Sequence, residues 1–130
     1  VTVLVEISPG ELIDKITILK IKRTKITDTD KRRNVEYEYQ LLMDLQKSAI
    51  PFDDQINVLQ ADLQKVNEIL WQIEDDIRDH EKRKDFGPSF IALARSVYHQ
   101  NDRRAATKRQ INDRLHSAII EEKSYTDYQS

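Results

Sequence analysis

Between Leu59 and Ile77 the apolar residues fall at Leu59, Leu63, Val66, Leu70, Ile73 and Ile77, in alternating steps of four and three. That spacing puts one continuous coiled-coil-like seam on a helix, and it cannot be a strand, whose side chains change face at every residue. Nothing interrupts it, because the chain has only two glycines and three prolines in 130 residues. A long helix is therefore expected over about 53–84, ending at Phe86-Gly87-Pro88, with Ser89 placed to cap a further helix over about 89–122. That helix carries Phe90, Leu93, Ala94 and Val97, then a polar interruption, then Ile111, Leu115 and Ile119. Two long helices on a short connector make an antiparallel hairpin. Charge agrees: residues 53–81 hold nine acids and two bases, residues 95–114 six bases and two acids.

The start of the chain is punctuated as sharply. Val3, Val5 and Ile7 alternate with Leu4 and Glu6, the period-two pattern of a short strand over 2–7. Ser8-Pro9-Gly10-Glu11 then reads as a helix start, with Ser8 as N-cap, Pro9 in the first turn and Glu11 as capping-box partner. The helix it opens, about 9–26, carries Leu12, Ile13, Ile16, Ile18, Leu19 and Ile21, which cover nearly two faces. Such a helix lies at the centre of a chain or meets a second one. Another helix is expected over about 30–49, with Val35, Leu41, Leu42 and Leu45 as core candidates and Pro51 as its stop. A lone strand leaves backbone N–H and C=O groups unpaired. Residues 2–7 are therefore expected to pair with the same strand of another subunit, or else with the C-terminal tail, and with the first helix they nominate a homodimer or higher homo-oligomer. The fold class is mainly α: a single helical domain over 1–130, with a short N-terminal strand, two shorter helices and a long antiparallel hairpin, bundle-like.

Composition removes whole classes of function. The chain has no cysteine, so disulfides, thiolate nucleophiles and Cys-rich zinc sites are excluded. His80, His99 and His116 are scattered without metal-ligand spacing, and Gly10 and Gly87 cannot build a glycine-rich phosphate loop. No apolar run suits a membrane span, and no signal-like segment opens the sequence, so the expected home is the cytoplasm. A net charge of -2 makes nucleic acid an unlikely partner, although seven basic residues against two acidic ones between Lys20 and Arg33 form a local basic patch.

The polar interruption of the hairpin is the candidate site. Folding the two long helices about Phe86-Gly87-Pro88 sets Ile73 opposite Val97 and Leu70 opposite Asn101, and brings Trp71, Glu74, Asp75 and Arg78 level with Tyr98, Asn101, Asp102, Arg103 and Arg104. Asn101, Arg104 and Lys108 occupy positions where the seam calls for apolar side chains. Such a layer is either a register-fixing set, with Glu74 or Glu68 on Arg104, or a pocket for a small anionic ligand. On the second reading Glu74, Arg78, Asn101, Arg103 and Arg104 are the binding residues. A different chemistry comes from carboxylates at helical spacing, where Glu11, Asp14, Glu74 and Asp75 could hold magnesium in a small metal-dependent enzyme acting on a nucleotide or other phosphorylated metabolite. Without that metal no cofactor is expected, and the leading reading is an oligomerising protein that binds or scaffolds without catalysis.

Three segments carry a resemblance: EISPGELIDKITILKIK, LQKVNEILWQIEDDIRDHE and DFGPSFIALARSVYHQNDRRAATKRQIN. Together they resemble a family of small bacterial and phage-associated proteins classed as a domain of unknown function, and the resemblance implies no assigned activity. Glu11-Leu12-Ile13-Asp14 is similar to the second acidic element of the MazG-type helical pyrophosphohydrolases, which act on nucleotides, although no clean Glu-x-x-Glu precedes it. ELIDKITILKIKR also resembles the first helix of helical chorismate mutases.

Overall fold

The computed structural model describes residues 1–129 and contains four helices: α1 (Pro9–Lys25), α2 (Thr29–Ala49), α3 (Asp54–Arg83) and α4 (Pro88–Arg114). α3 and α4 form the antiparallel hairpin that the seam demands, while α1 packs against each of the other three helices. The two-faced apolar pattern of α1 is thus answered within one chain. Leu12, Ile13, Ile16, Leu19 and Ile21 are all buried, and Ile13 sits in a core with Ile56, Leu59, Leu63 and Ile111. No helix among the described residues is long and apolar enough to cross a membrane.

Each α1 backbone donor at the N-terminal end has a partner, which is why the helix starts where it does. Pro9 lacks an N–H; Gly10 N donates to Asn112 Oδ1 at 2.8 Å, Glu11 N to Ser8 Oγ at 3.2 Å and Leu12 N to Ser8 O at 3.1 Å. Asn112 lies on α4, so a side chain from the far end of the sequence completes the cap. Gly10 is required by the close approach: a Cβ there would stand 2.7 Å from Lys108 O and 2.8 Å from Asn112 Oδ1. Glu11 does not close a capping box on Ser8, because its carboxylate is taken by Lys108.

Several sequence expectations are corrected. Residues 2–7 form no strand: they carry no regular structure, and Val3, Leu4 and Val5 are exposed. A strand exists only as part of a ladder, and no second segment of the described chain lies alongside to supply one. Most of the apolar surface of α1 on which the expected oligomer contact drew is buried within its own chain, Ile18 being partly buried. α2 buries only Val35, leaving Leu41 and Leu45 exposed, since it leans chiefly on α1 and meets α3 near its end, where Gln46 Nε2 donates to Gln60 Oε1 at 2.8 Å. α3 ends at Lys84 in the left-handed region (φ 56°), with Lys84 N donating to Glu81 O and Asp85 N to His80 O. Gly87 is instead the N-cap of α4, and Ser89 lies inside that helix. α4 stops at Arg114 rather than near 122, because His116 turns left-handed (φ 53°) and Ser117 N reaches back to Asn112 O at 2.9 Å.

Residues 115–129 carry no regular structure and return along α4. Glu121 meets Lys108 at 3.0 Å, Glu122 meets Arg109 at 3.6 Å, and the Tyr128 hydroxyl donates to Asp102. The tail therefore covers α4 and leaves the N-terminal segment bare. The expected charge attraction across the hairpin comes down to Arg114 on Asp53 at 3.0 Å; other bases of α4 turn to α1 and to the tail.

Candidate functional site: a groove over a buried carboxylate

Asp14 is the side chain around which the site is built. It is 1% exposed, placed there because α1 presents Asp14 and Thr17 among isoleucines on a face that α3 and α4 both cover. A carboxylate at that depth needs charged and hydrogen-bonding partners. The side edge of the Arg104 guanidinium supplies them: Nε donates to Oδ1 at 2.9 Å and Nη2 donates to Oδ2. Asn67 Nδ2 also donates to Oδ1 at 2.9 Å, and to Thr17 Oγ1 at 2.8 Å. Lys108 Nζ lies 3.9 Å from Oδ2, bonded chiefly to Glu11 at 2.7 Å and Glu121 at 3.0 Å.

These contacts set the protonation states. The hydrogen bond to Asp14 lifts the Arg104 guanidinium above the usual arginine range, against the opposing effect of burial. Burial pulls Lys108 down most strongly as a single influence, but its bonds to Glu11 and Glu121 and the nearby charges of Asp14 and Glu11 together hold the ammonium above the usual lysine range. Both cations remain charged at neutral pH.

Arg104 closes one side of an open groove of about 510 Å³ between α1, α3 and α4. Its walls are Ile18 and Ile21 from α1, Asn67, Leu70, Trp71, Glu74, Asp75 and Arg78 from α3, and Val97, Asn101 and Arg104 from α4. The helix spacing explains the convergence. Asn67, Leu70, Trp71, Glu74, Asp75 and Arg78 share one face of α3, and Val97, Asn101 and Arg104 follow one another by about one turn on α4.

The structure thus brings together Glu74, Arg78, Asn101 and Arg104 from the sequence-nominated set, in a groove that Leu70 also lines. It leaves out Arg103, which is exposed and donates to Gln100 at 3.2 Å. The expected partner of Arg104 is also corrected. Glu74 pairs with Arg78 at 3.3 Å and Glu68 accepts from Gln64 at 3.2 Å, so the charge that holds Arg104 is Asp14 on another helix.

The candidate magnesium set does not assemble. Glu11 and Asp14 face Lys108 and Arg104, whereas Glu74 and Asp75 stand on the groove wall; among the described residues no group of three or more His, Asp or Glu side chains is arranged to hold a metal ion. Two cations at the first pair oppose a third charge of the same sign there. The basic patch is partly neutralised as well, with Arg23 on Glu36 at 2.8 Å and over the Tyr39 ring at 4.2 Å.

Asn67, Thr17 and Asn112 were not legible as site residues. The one sequence signal for the first two is polarity out of place: Asp14 and Thr17 three apart within a run of isoleucines, and Asn67 beside Val66 on the seam. Neither the curated proteins nor the solved structures contain a match to this chain. Over residues 3–130 the sequence matches the model of the family of unknown function DUF6165, and the chain belongs to that family.

Proposed function

We propose that this protein binds a small organic anion in the α1–α3–α4 groove, with Arg104 as the receiving group and without a chemical step of its own. One observation carries the reading: Arg104 lines an open groove, only its side edge is spent on Asp14, and the carboxylate that holds it is itself buried. A guanidinium fixed in this way offers the parallel N–H groups of its end edge, Nη1 and Nη2, to a carboxylate or phosphate, and little is lost in ordering it. The volume is within the roughly 300–1,000 Å³ of small-molecule sites. Ile18, Leu70, Val97 and Trp71 supply apolar wall, and Asn101 supplies an amide within the same face.

The test is thermal denaturation with a series of small carboxylates and phosphates. A ligand that binds only the folded chain raises its stability by about 2.7 kcal/mol at a hundredfold excess over Kd. The reading expects a concentration-dependent rise in Tm for at least one organic anion, reduced in Arg104→Lys, which keeps a charge on Asp14 but loses the forked end edge. A Tm indifferent to every anion, or a rise unchanged by Arg104→Lys, overturns it.

A further inference from the structure

The groove carries charge of both signs, and its two available charges stand at different ends. Arg104 marks one end. Asn67 Nδ2 and Arg104 Nε donate to the same oxygen, Asp14 Oδ1, so the Arg104 guanidinium lies level with Asn67 of α3. Asp75, on the same wall, is eight residues further along that helix, about 12 Å at 1.5 Å per residue. Trp71 stands halfway, one turn before Asp75 and on the same face. Leu70 of α3 and Val97 of α4 fall between the two levels, so the interval is walled by side chains that suit methylene groups and offer no charge.

The charge at the far end is unanswered. Glu74 pairs with Arg78 at 3.3 Å and Arg104 pairs with Asp14, but Asp75 has no ion-pair or hydrogen-bond partner among the described residues. Counting Asp14 beneath the floor, the groove holds the carboxylates of Asp14, Glu74 and Asp75 against the two guanidinium groups of Arg78 and Arg104. A ligand that brings only negative charge adds to that excess, whereas one that also carries a cation cancels it. Trp71 favours the same answer, since an indole face beside a carboxylate attracts an organic cation.

We infer that the preferred ligand of the groove is dipolar: a carboxylate at one end, an ammonium or guanidinium group at the other, and an unbranched apolar chain long enough to span the interval. The carboxylate goes to Arg104, and the cation goes to Asp75 against the Trp71 ring. Amino acids whose two charges sit on adjacent carbons cannot reach both. A plain anion still binds at Arg104, but less tightly. This rests on the anion-binding reading of the same groove.

The full chain is titrated with 6-aminohexanoate and 8-aminooctanoate, and with heptanoate and nonanoate, the isosteres in which a methyl group replaces the ammonium. Trp71, the only tryptophan in the chain, reports binding by its fluorescence. A groove that used Arg104 and apolar contact alone would hold the methyl isosteres more tightly, because the ammonium costs more to desolvate. The inference expects the reverse order, with at least one amino acid bound about three- to tenfold more tightly than its isostere, the range of a part-exposed ion pair with an aromatic contact. Asp75 is exposed on the helix surface, so Asp75→Asn keeps the fold, and in that variant the isostere should bind at least as tightly as the amino acid. Isosteres that match or exceed the amino acids in the unchanged chain, or a preference for the amino acids that survives Asp75→Asn, overturn the inference and leave the anion-binding reading standing. Absence of binding by all four also overturns it, and joined to a Tm indifferent to every anion it overturns both.

Discussion

Lys108 is shared between two parts of the chain that are far apart in sequence, donating to Glu11 on α1 and Glu121 in the tail. Its stabilising contribution has a definite pH window. The folded lysine is held above its ordinary 10.5, so the attraction is complete below pH 10.5 and is lost as pH rises through the higher folded value. Glu121 is held below its ordinary 4.5, mainly by the hydrogen bond from Lys108. Its contribution is present above pH 4.5 and disappears as pH falls through the lower folded value. The pair is half-open to solvent on the Glu121 side, so it is worth on the order of 1 kcal/mol or less. Melting curves of the unchanged chain and Glu121→Gln are expected to differ by a small constant amount between the two limits and to converge at both extremes. A difference that grows toward acid pH would contradict the assignment. The sequence marks Lys108 as a polar residue on an apolar seam, but neither partner can be read from it, since Glu11 and Glu121 are brought near only by tertiary packing.

At the scale of the element, α1 organises the fold, and its start shows how local and distant signals combine. Ser8-Pro9 locates the helix from sequence alone, and the structure agrees to the residue. The reason for Gly10 is not local. An alanine there would raise helix propensity by about 1 kcal/mol on an exposed surface. Here its Cβ meets the Lys108 backbone and the Asn112 amide, and α4 must move to accept it. Gly10→Ala is therefore expected to destabilise the chain by about 1–3 kcal/mol, measured by denaturant unfolding, through overpacking. An unchanged or raised stability would show that the α1–α4 approach is looser than described. Periodicity reads α3 well because its seam is covered by α4 and α1 together, Leu59 and Leu63 meeting Ile111 of one and Ile13 of the other. It misjudges α2, whose Leu41 and Leu45 have the spacing of a core face but no second helix to bury them. It also misjudges the N-terminal segment, where an alternating pattern expresses a preference for extended backbone that becomes a strand only with a partner.

For the whole molecule, the hairpin and a central α1 between them make the groove: α3 and α4 supply its long walls, and α1 both fills its back and places Asp14 beneath it. The polar layer at Glu74, Arg78, Asn101 and Arg104 is legible because hydrophobic seams make polar intrusions visible and a hairpin fixes which residues stand opposite. What holds the layer open is not legible. Arg104 could as well have paired with Glu74 across the hairpin and closed it; instead Asp14, ninety positions away, draws the guanidinium toward the floor. The central claim, that this arrangement is a binding site for an organic anion, is tested most directly by mapping contacts in solution. An isotope-labelled full chain would be titrated with 3-phenyllactate and followed by NMR. The account predicts saturable shifts of the Trp71 indole N–H, the Asn67 and Asn101 side-chain amides and Arg104 Nε, with the basic residues Arg32 and Arg33 unmoved. Shifts confined to Arg32, Arg33 and their turn, or no saturable shift anywhere, would contradict it.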